Sequence, residues 1–400
     1  MTGFRAAYIF DAMDEMTLTE AQRELLSDFR NGKRTALARA ISIVESERSG
    51  FQALLSELHS SLGRAHRIGI TGPPGAGKST LTARLAAAFR ERGETVAIVA
   101  VDPTSPFTGG ALLGDRIRMN EIALDPGIFI RSMATRGSLG GLAVTTEEVV
   151  DVLDAFGFDR ILIETVGVGQ SELDIASAAD TTVVVLVPES GDGIQAMKAG
   201  LMEIADLFVV NKADRPGADR LVREVEIMLR LREGRFTHRV PAHHGVDLRR
   251  VAEATQAREV AGDGARPVDE APLNGAARPA GREEGGAGRE ESGAAAAGAS
   301  AASWTIPVLK TVAEQGTGVD ELVVALDRHR DWMVASGTLS EKRRERLDRR
   351  VRDAVARQLA RTAWEERGGE AILQESLEAL ESGRESPYAV AARIVRAVTG

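Results

Sequence analysis

Gly72, Gly77, Lys78 and Ser79 stand at G-x-x-x-x-G-K-[ST] spacing within "TGPPGAGKST" (71–80), directly after the apolar run "RIGI". Glycines at those positions let backbone N–H groups turn inward around a phosphate chain. The lysine brings a positive charge to the terminal phosphates, and the serine hydroxyl can ligate Mg²⁺. The whole loop therefore supplies candidate phosphate contacts: Gly72, Pro73, Pro74, Gly75, Ala76, Gly77, Lys78, Ser79 and Thr80. It lies between a β-like run (67–71) and a helical pattern (Leu81, Leu85, Phe89), the context that a phosphate-binding loop requires.

Which base accompanies the phosphates is read from "VVNKAD", where Asn211, Lys212 and Asp214 match N-K-x-D at a strand end. The Asp214 carboxylate can accept from both guanine N1–H and the exocyclic amine. Facing adenine it would meet an acceptor nitrogen and lose a partner. Lys212 would lie along the base plane, and Asn211 would tie this loop to the phosphate loop. The predicted nucleotide is GTP, with GDP as product.

Carboxylates for a metal and for γ-phosphate sensing fall between the two motifs. Asp102 opens "DPTSPFTGGALLGDRIRM" at a strand end and is placed to bind Mg²⁺ directly or through water. Asp115, later in the same stretch, is a second metal candidate, a helix N-cap being its alternative. "ILIETVGVGQSE" puts Glu164 where a Walker B carboxylate belongs, and Gly167 three residues on, where its N–H can reach a γ-phosphate. Val168 follows, at the place where small GTPases carry the glutamine that orients water, so unaided hydrolysis should be slow. Lys78, Asp102 and Glu164 are the candidate catalytic groups.

These motifs need a scaffold, and the chain encodes one. "RIGIT", "TVAIVAV", "IFIRSM", "RILIET", "TTVVVLV", "DLFVVNKAD" and "WTIPVLKTV" are short, apolar and separated by helical stretches. That alternation predicts an α/β fold, a doubly wound and mostly parallel sheet with helices on both faces. Residues 1–62 read as an N-terminal helical extension, 63–335 as the nucleotide domain, and 336–400 as a charged helical arm suited to packing or dimer contact. Within the domain, 255–303 is dominated by Ala, Gly, Glu, Arg and Pro without an aromatic before Trp304, and reads as a disordered insertion.

Composition narrows the class. The 400 residues carry 50 Lys+Arg against 59 Asp+Glu, a net charge of −9, which argues against general nucleic-acid binding. Cysteine is absent, so disulfides, thiolate zinc sites and cysteine nucleophiles are excluded. No run approaches the ~20 apolar residues of a membrane helix. The N-terminal stretch, with Asp11, Asp14 and Glu15, lacks a signal-peptide core. A soluble cytoplasmic protein without membrane contact is expected.

Taken together, "TGPPGAGKST", "VDPTSPFTGGALLGDRIRM", "ETVGVGQSE" and "NKAD" resemble the MeaB/ArgK family of P-loop GTPases, associated with methylmalonyl-CoA mutase. "ALARAISIVESER" and "PYAVAARIV" are similar to that family's lead-in and C-terminal end. The resemblance implies a homodimer that escorts an adenosylcobalamin-dependent acyl-CoA mutase, gating cofactor loading by GTP hydrolysis and protecting or reactivating the mutase. It further implies a mobile switch in "PESGDGIQAMKAGLMEIAD", with Asp192 and Lys198 coupling nucleotide to mutase, which adds Lys198 to the candidate catalytic groups. Val312 matches the family's base-contacting loop, though "TVAEQGTG" departs from the usual S-A pattern, leaving Thr311 to Ala313 a weaker match than Asp214. The insertion is also much longer than the family's.

Metal-delivery GTPases hold their metal with Cys and His motifs; this chain has no Cys, and His243 and His244 read as linker. A lysine/arginine/ornithine transport-associated ATPase or kinase is opposed by N-K-x-D, and a non-hydrolysing scaffold by the set of metal carboxylates. No D-x-H-x-x-G cobalamin signature is present, which assigns that cofactor to the partner. Methylmalonyl-, ethylmalonyl- and isobutyryl-CoA mutases are the candidate partners.

Overall fold

The computed structural model describes residues 17–103, 122–135, 141–165, 171–188, 200–232 and 303–399. Among them, seven strands form one sheet in which every pairing is parallel: β1 (His66–Thr71), β2 (Val96–Pro103), β3 (Ile128–Thr135), β4 (Arg160–Thr165), β5 (Thr181–Leu186), β6 (Leu207–Val210) and β7 (Val308–Lys310). The order is β3-β2-β4-β1-β5-β6-β7. All residues of β1, β4, β5 and β6 are buried, which is why these runs read as continuous apolar stretches rather than alternating ones. The predicted doubly wound sheet is the observed one. The central strand β1 is flanked by β4 and β5, so the loops leaving β1 and β6 and the end of β4 lie at the carboxyl edge, where open α/β sheets bind ligands.

Helices cover both faces. They are α1 (Glu20–Arg30), α2 (Arg34–Glu45), α3 (Phe51–Leu58), α4 (Lys78–Glu91), α5 (Gly141–Phe156), α6 (Ser171–Ala178), α7 (Ala218–Arg232), α8 (Val319–Ser336), α9 (Thr338–Arg361), α10 (Gly369–Glu381) and α11 (Pro387–Thr399). α1 starts with a reciprocal cap: Gln22 N–H donates to Thr19 Oγ1, and Thr19 N–H donates to Gln22 Oε1. One core joins Leu37, Ile41 and Leu54 of the N-terminal helices to Val149 and Leu153 of α5 and to Val99 and Ile163 of the sheet. The opposite core packs Leu81, Leu85 and Phe89 of α4 and Leu322 and Leu326 of α8 on Ile68, Ile70 and Val183. The N-terminal helices thus share the sheet's own hydrophobic core.

The charged C-terminal helix docks through ion pairs at the amino ends of the strands. Arg343 and Arg346 reach Asp180 at 2.8 and 3.3 Å, and Lys342 reaches Asp206 at 3.1 Å. Arg350 pairs with Asp151, Arg349 with Glu147 and Arg357 with Glu148. Burial alone would raise the Asp180 carboxyl; the Arg343 hydrogen bond and the charges of Arg346, Arg343 and Arg67 outweigh it and hold it below the usual range. A second compact unit, 226–303, is described only at the last residues of α7 and at Ser303, so the expected insertion lies outside the described residues.

Candidate functional site

The phosphate loop is a backbone structure, and its glycines are there for conformation. Gly72 has φ 137°, and a Cβ on it would lie 2.1 Å from the Val185 carbonyl oxygen. Gly77 has φ 84° and would press a Cβ to 2.5 Å from Asn211 Nδ2. Both positions require the left-handed freedom of glycine and its missing side chain. The chain turns from β1 into α4 here, so the first N–H groups of α4 face the loop.

Lys78 and Ser79, the first two residues of α4, are buried. The Lys78 ammonium donates to the carbonyls of Gly72 and Pro73 at 2.8 and 3.0 Å, holding it inside its own loop. Ser79 Oγ donates to Glu164 Oε1 at 2.5 Å. Glu164 comes from β4, next to β1, in register with Ile70 on one side and Ala100 of β2 on the other. Strand order therefore brings together a hydroxyl and a carboxylate 85 residues apart. This donor set of hard oxygens, buried beside a phosphate-type loop, is chemically suited to Mg²⁺. Asp102 lies at the end of β2, two residues beyond Ala100; its side chain is outside the described atoms. Asp115, Gly167, Val168, Asp192 and Lys198 lie outside the described residues.

The base side is built around Asn211. Its Nδ2 donates to the Ala76 carbonyl at 2.8 Å, while its Oδ1 accepts from Thr311 Oγ1 at 3.1 Å and from Ala313 N–H at 3.0 Å. One buried side chain thereby joins the phosphate loop, the N-K-x-D loop and the loop after β7. Lys212 adopts φ 55°, a left-handed value that is uncommon for a side-chain-bearing residue, and its ammonium donates to the Gly75 carbonyl at 2.9 Å. Asp214, exposed, lines a surface pocket with Gly77, Thr80, Lys212, Val312 and Glu314. The site can thus grip a phosphate chain at one end and present a carboxylate to a base at the other.

Sequence reasoning missed Arg84, Arg215 and Glu314. Arg215 and Glu314 line the same pocket. Arg84 of α4 donates from Nε to the Ala313 carbonyl at 3.2 Å and from Nη2 to the Glu314 carbonyl at 2.8 Å. Nothing in the sequence flags Arg84, because a helix-surface arginine is ordinary; for Arg215 and Glu314, adjacency to the motifs was the available signal.

The described model of the methylmalonyl-CoA mutase-associated GTPase MeaB matches residues 37–368. A Pyrococcus horikoshii protein named as a GTPase is 41% identical over 333 residues, covering 83% of this chain and 85% of that protein. The GTPase ArgK of Escherichia coli is 42% identical over 206 residues, covering 50% of this chain and 61% of that protein. A crystal structure of an LAO/AO transport system kinase superposes with TM-score 0.56 at 23% identity over 96% of this chain and 100% of that one, a likeness of fold. With the phosphate loop, its buried Ser79–Glu164 pair and the N-K-x-D pocket in place, the chain belongs to the MeaB family of P-loop GTPases.

Proposed function

We propose that this GTPase serves as a chaperone for an adenosylcobalamin-dependent acyl-CoA mutase, using GTP hydrolysis to gate cofactor loading and to protect or reactivate the mutase. The observation that carries this reading is the match over residues 37–368 to a family described by its association with methylmalonyl-CoA mutase. The chain's own residues supply the switch: Gly72 to Thr80 hold the phosphates, Asp214 selects the base, and Asn211 links the two ends.

Ser79 and Glu164, with Asp102 at the end of the neighbouring strand, would hold Mg²⁺. That ion, when bound, neutralises charge developing on the phosphates. Lys78 adds its charge on the same chain of oxygens, and burial of Lys78, Ser79 and Glu164 strengthens each of these attractions. Val168 leaves the water-orienting role to another group, which suits an enzyme whose turnover waits for its partner.

Residues 336–400 form the dimerisation arm in this reading. α9 pairs Lys342, Arg343 and Arg346 with acids at the strand ends and Arg349, Arg350 and Arg357 with acids of α5, and leaves Leu347, Val351, Val355 and Leu359 exposed at successive four-residue steps, an apolar stripe fitting a second copy. No helix among the described residues is long and apolar enough to cross a membrane.

The test is a pair of rates, GTP turnover alone and with saturating B12-dependent mutase, for wild type and Lys198→Ala. Wild type should be stimulated, while Lys198→Ala keeps basal turnover and loses the stimulation. No stimulation of wild type by methylmalonyl-, ethylmalonyl- or isobutyryl-CoA mutase would overturn the chaperone reading.

A further inference from the structure

The loop after β7 is held from two directions. From the sheet side, Asn211 Oδ1 accepts the Ala313 N–H. From the helix side, Arg84 donates to two successive carbonyls, Ala313 and Glu314, through Nε and Nη2. The loop itself is a tight turn: Val312 bridges Thr317, and Gly316 and Gly318 have φ 75° and 78°. Ala313 and Glu314 face the pocket beside Asp214. A planar guanidinium fits two neighbouring carbonyls as a fork, which a lysine ammonium cannot reproduce.

We propose that Arg84 is a positioning residue for the nucleotide base. It fixes the 313–314 peptide relative to α4, the same helix that begins with Lys78 and Ser79, so the base wall keeps its distance from the phosphate site. This rests on the assignment of the Asp214 pocket to the base. Lys78 bonds Gly72 and Pro73, Asn211 bonds Ala76 and Lys212 bonds Gly75 in the phosphate loop, and Arg84 takes part in none of these. Losing Arg84 therefore loosens the base wall and spares the phosphate grip.

The experiment compares wild type, Arg84→Ala, Arg84→Gln and Arg84→Lys by GDP dissociation rate, KM and kcat for GTP, and inhibition by inorganic triphosphate, which has no base. Arg84 is exposed, so the hydrophobic core is untouched and melting temperatures should match. Arg84→Ala and Arg84→Gln should release GDP about fivefold faster and raise KM about as much, with kcat within about twofold. Arg84→Lys should fall between them and wild type, and triphosphate inhibition should be equal in all four. Equal GDP release in all four overturns the proposal, as does a parallel loss of triphosphate affinity, which would place the effect in α4 and the phosphate loop. Wild type lacking preference for GTP over ATP overturns the base-pocket assignment itself, and the proposal with it.

Discussion

The Ser79 hydroxyl donates to Glu164 Oε1 across 2.5 Å, joining the first turn of α4 to the carboxyl end of β4. Both groups are buried, and in the proposed function both supply oxygen ligands to Mg²⁺. Ser79→Ala and Glu164→Gln should each lower Mg²⁺-dependent GTP turnover on the order of 100-fold. Phosphate release measured across a Mg²⁺ titration checks this; an unchanged titration curve in both variants would refute the pair's role.

In the proposed function, Asp214 on the pocket wall is the group that selects guanine over adenine. Asp214→Asn replaces one acceptor with a donor. GTP affinity should fall at least about tenfold, equivalent to roughly 1.4 kcal/mol, while xanthosine triphosphate gains. Competition binding with the two nucleotides reads the exchange directly.

The phosphate-loop glycines differ in what they tolerate. Gly72→Ala would bring a Cβ to 2.1 Å from a backbone oxygen that cannot move aside without disturbing β5. Gly75 has φ 75° but open space around it. Gly75→Ala should therefore cost about 1 kcal/mol of stability, the left-handed penalty alone, and Gly72→Ala clearly more. Denaturant midpoints of the two variants give the ranking.

At the opposite edge of the sheet, Arg160 Nη1 lies 3.0 Å from His66 Nδ1, His66 Nε2 lies 2.7 Å from Thr181 Oγ1, and Thr181 Oγ1 lies 2.9 Å from His329 Nδ1. Arginine has only donors, so His66 Nδ1 accepts from Arg160, His66 is neutral, and its Nε2–H donates to Thr181 Oγ1. Burial is the main cause that depresses His66 to about 3 and His329 to about 4. The unfolded chain binds these protons near pH 6.5 and the folded chain does not, so stability falls as pH drops from about 6.5 toward 4. A His66→Gln, His329→Gln double variant should lose part of that acid sensitivity, measured as melting temperature from pH 7.5 to 5. An identical pH slope in both proteins would show that other groups set it.

Asp180 anchors α9 through Arg343 and Arg346 while its own side chain is fully buried. Asp180→Asn would leave those guanidinium groups, and Arg67 close by, without their common charge. Removing one partner of a buried ion pair typically costs about 3–5 kcal/mol. Arg352→Ala is the control, since the Arg352–Asp348 pair is exposed and should contribute little. Chemical denaturation separates the two cases.

Much of this protein was legible because its chemistry is encoded over short stretches. The turn at Gly72 and Gly77, the helix start at Lys78 and the strand end before Asn211 follow from backbone preferences within about ten residues, and the buried strands announce themselves as apolar runs. The motif residues Ser79 and Glu164 could be named from spacing; that their oxygens meet depends on β4 lying beside β1. The same holds for Asn211, whose partners Thr311 and Ala313 lie 100 and 102 residues further along and arrive only because β7 pairs with β6. Arg84 and Asp180 carried no sequence signal at all. An arginine on a helix and an aspartate before a strand look solvated until folding decides what covers them, because hydrogen-bond partners and burial are properties of strand order and packing.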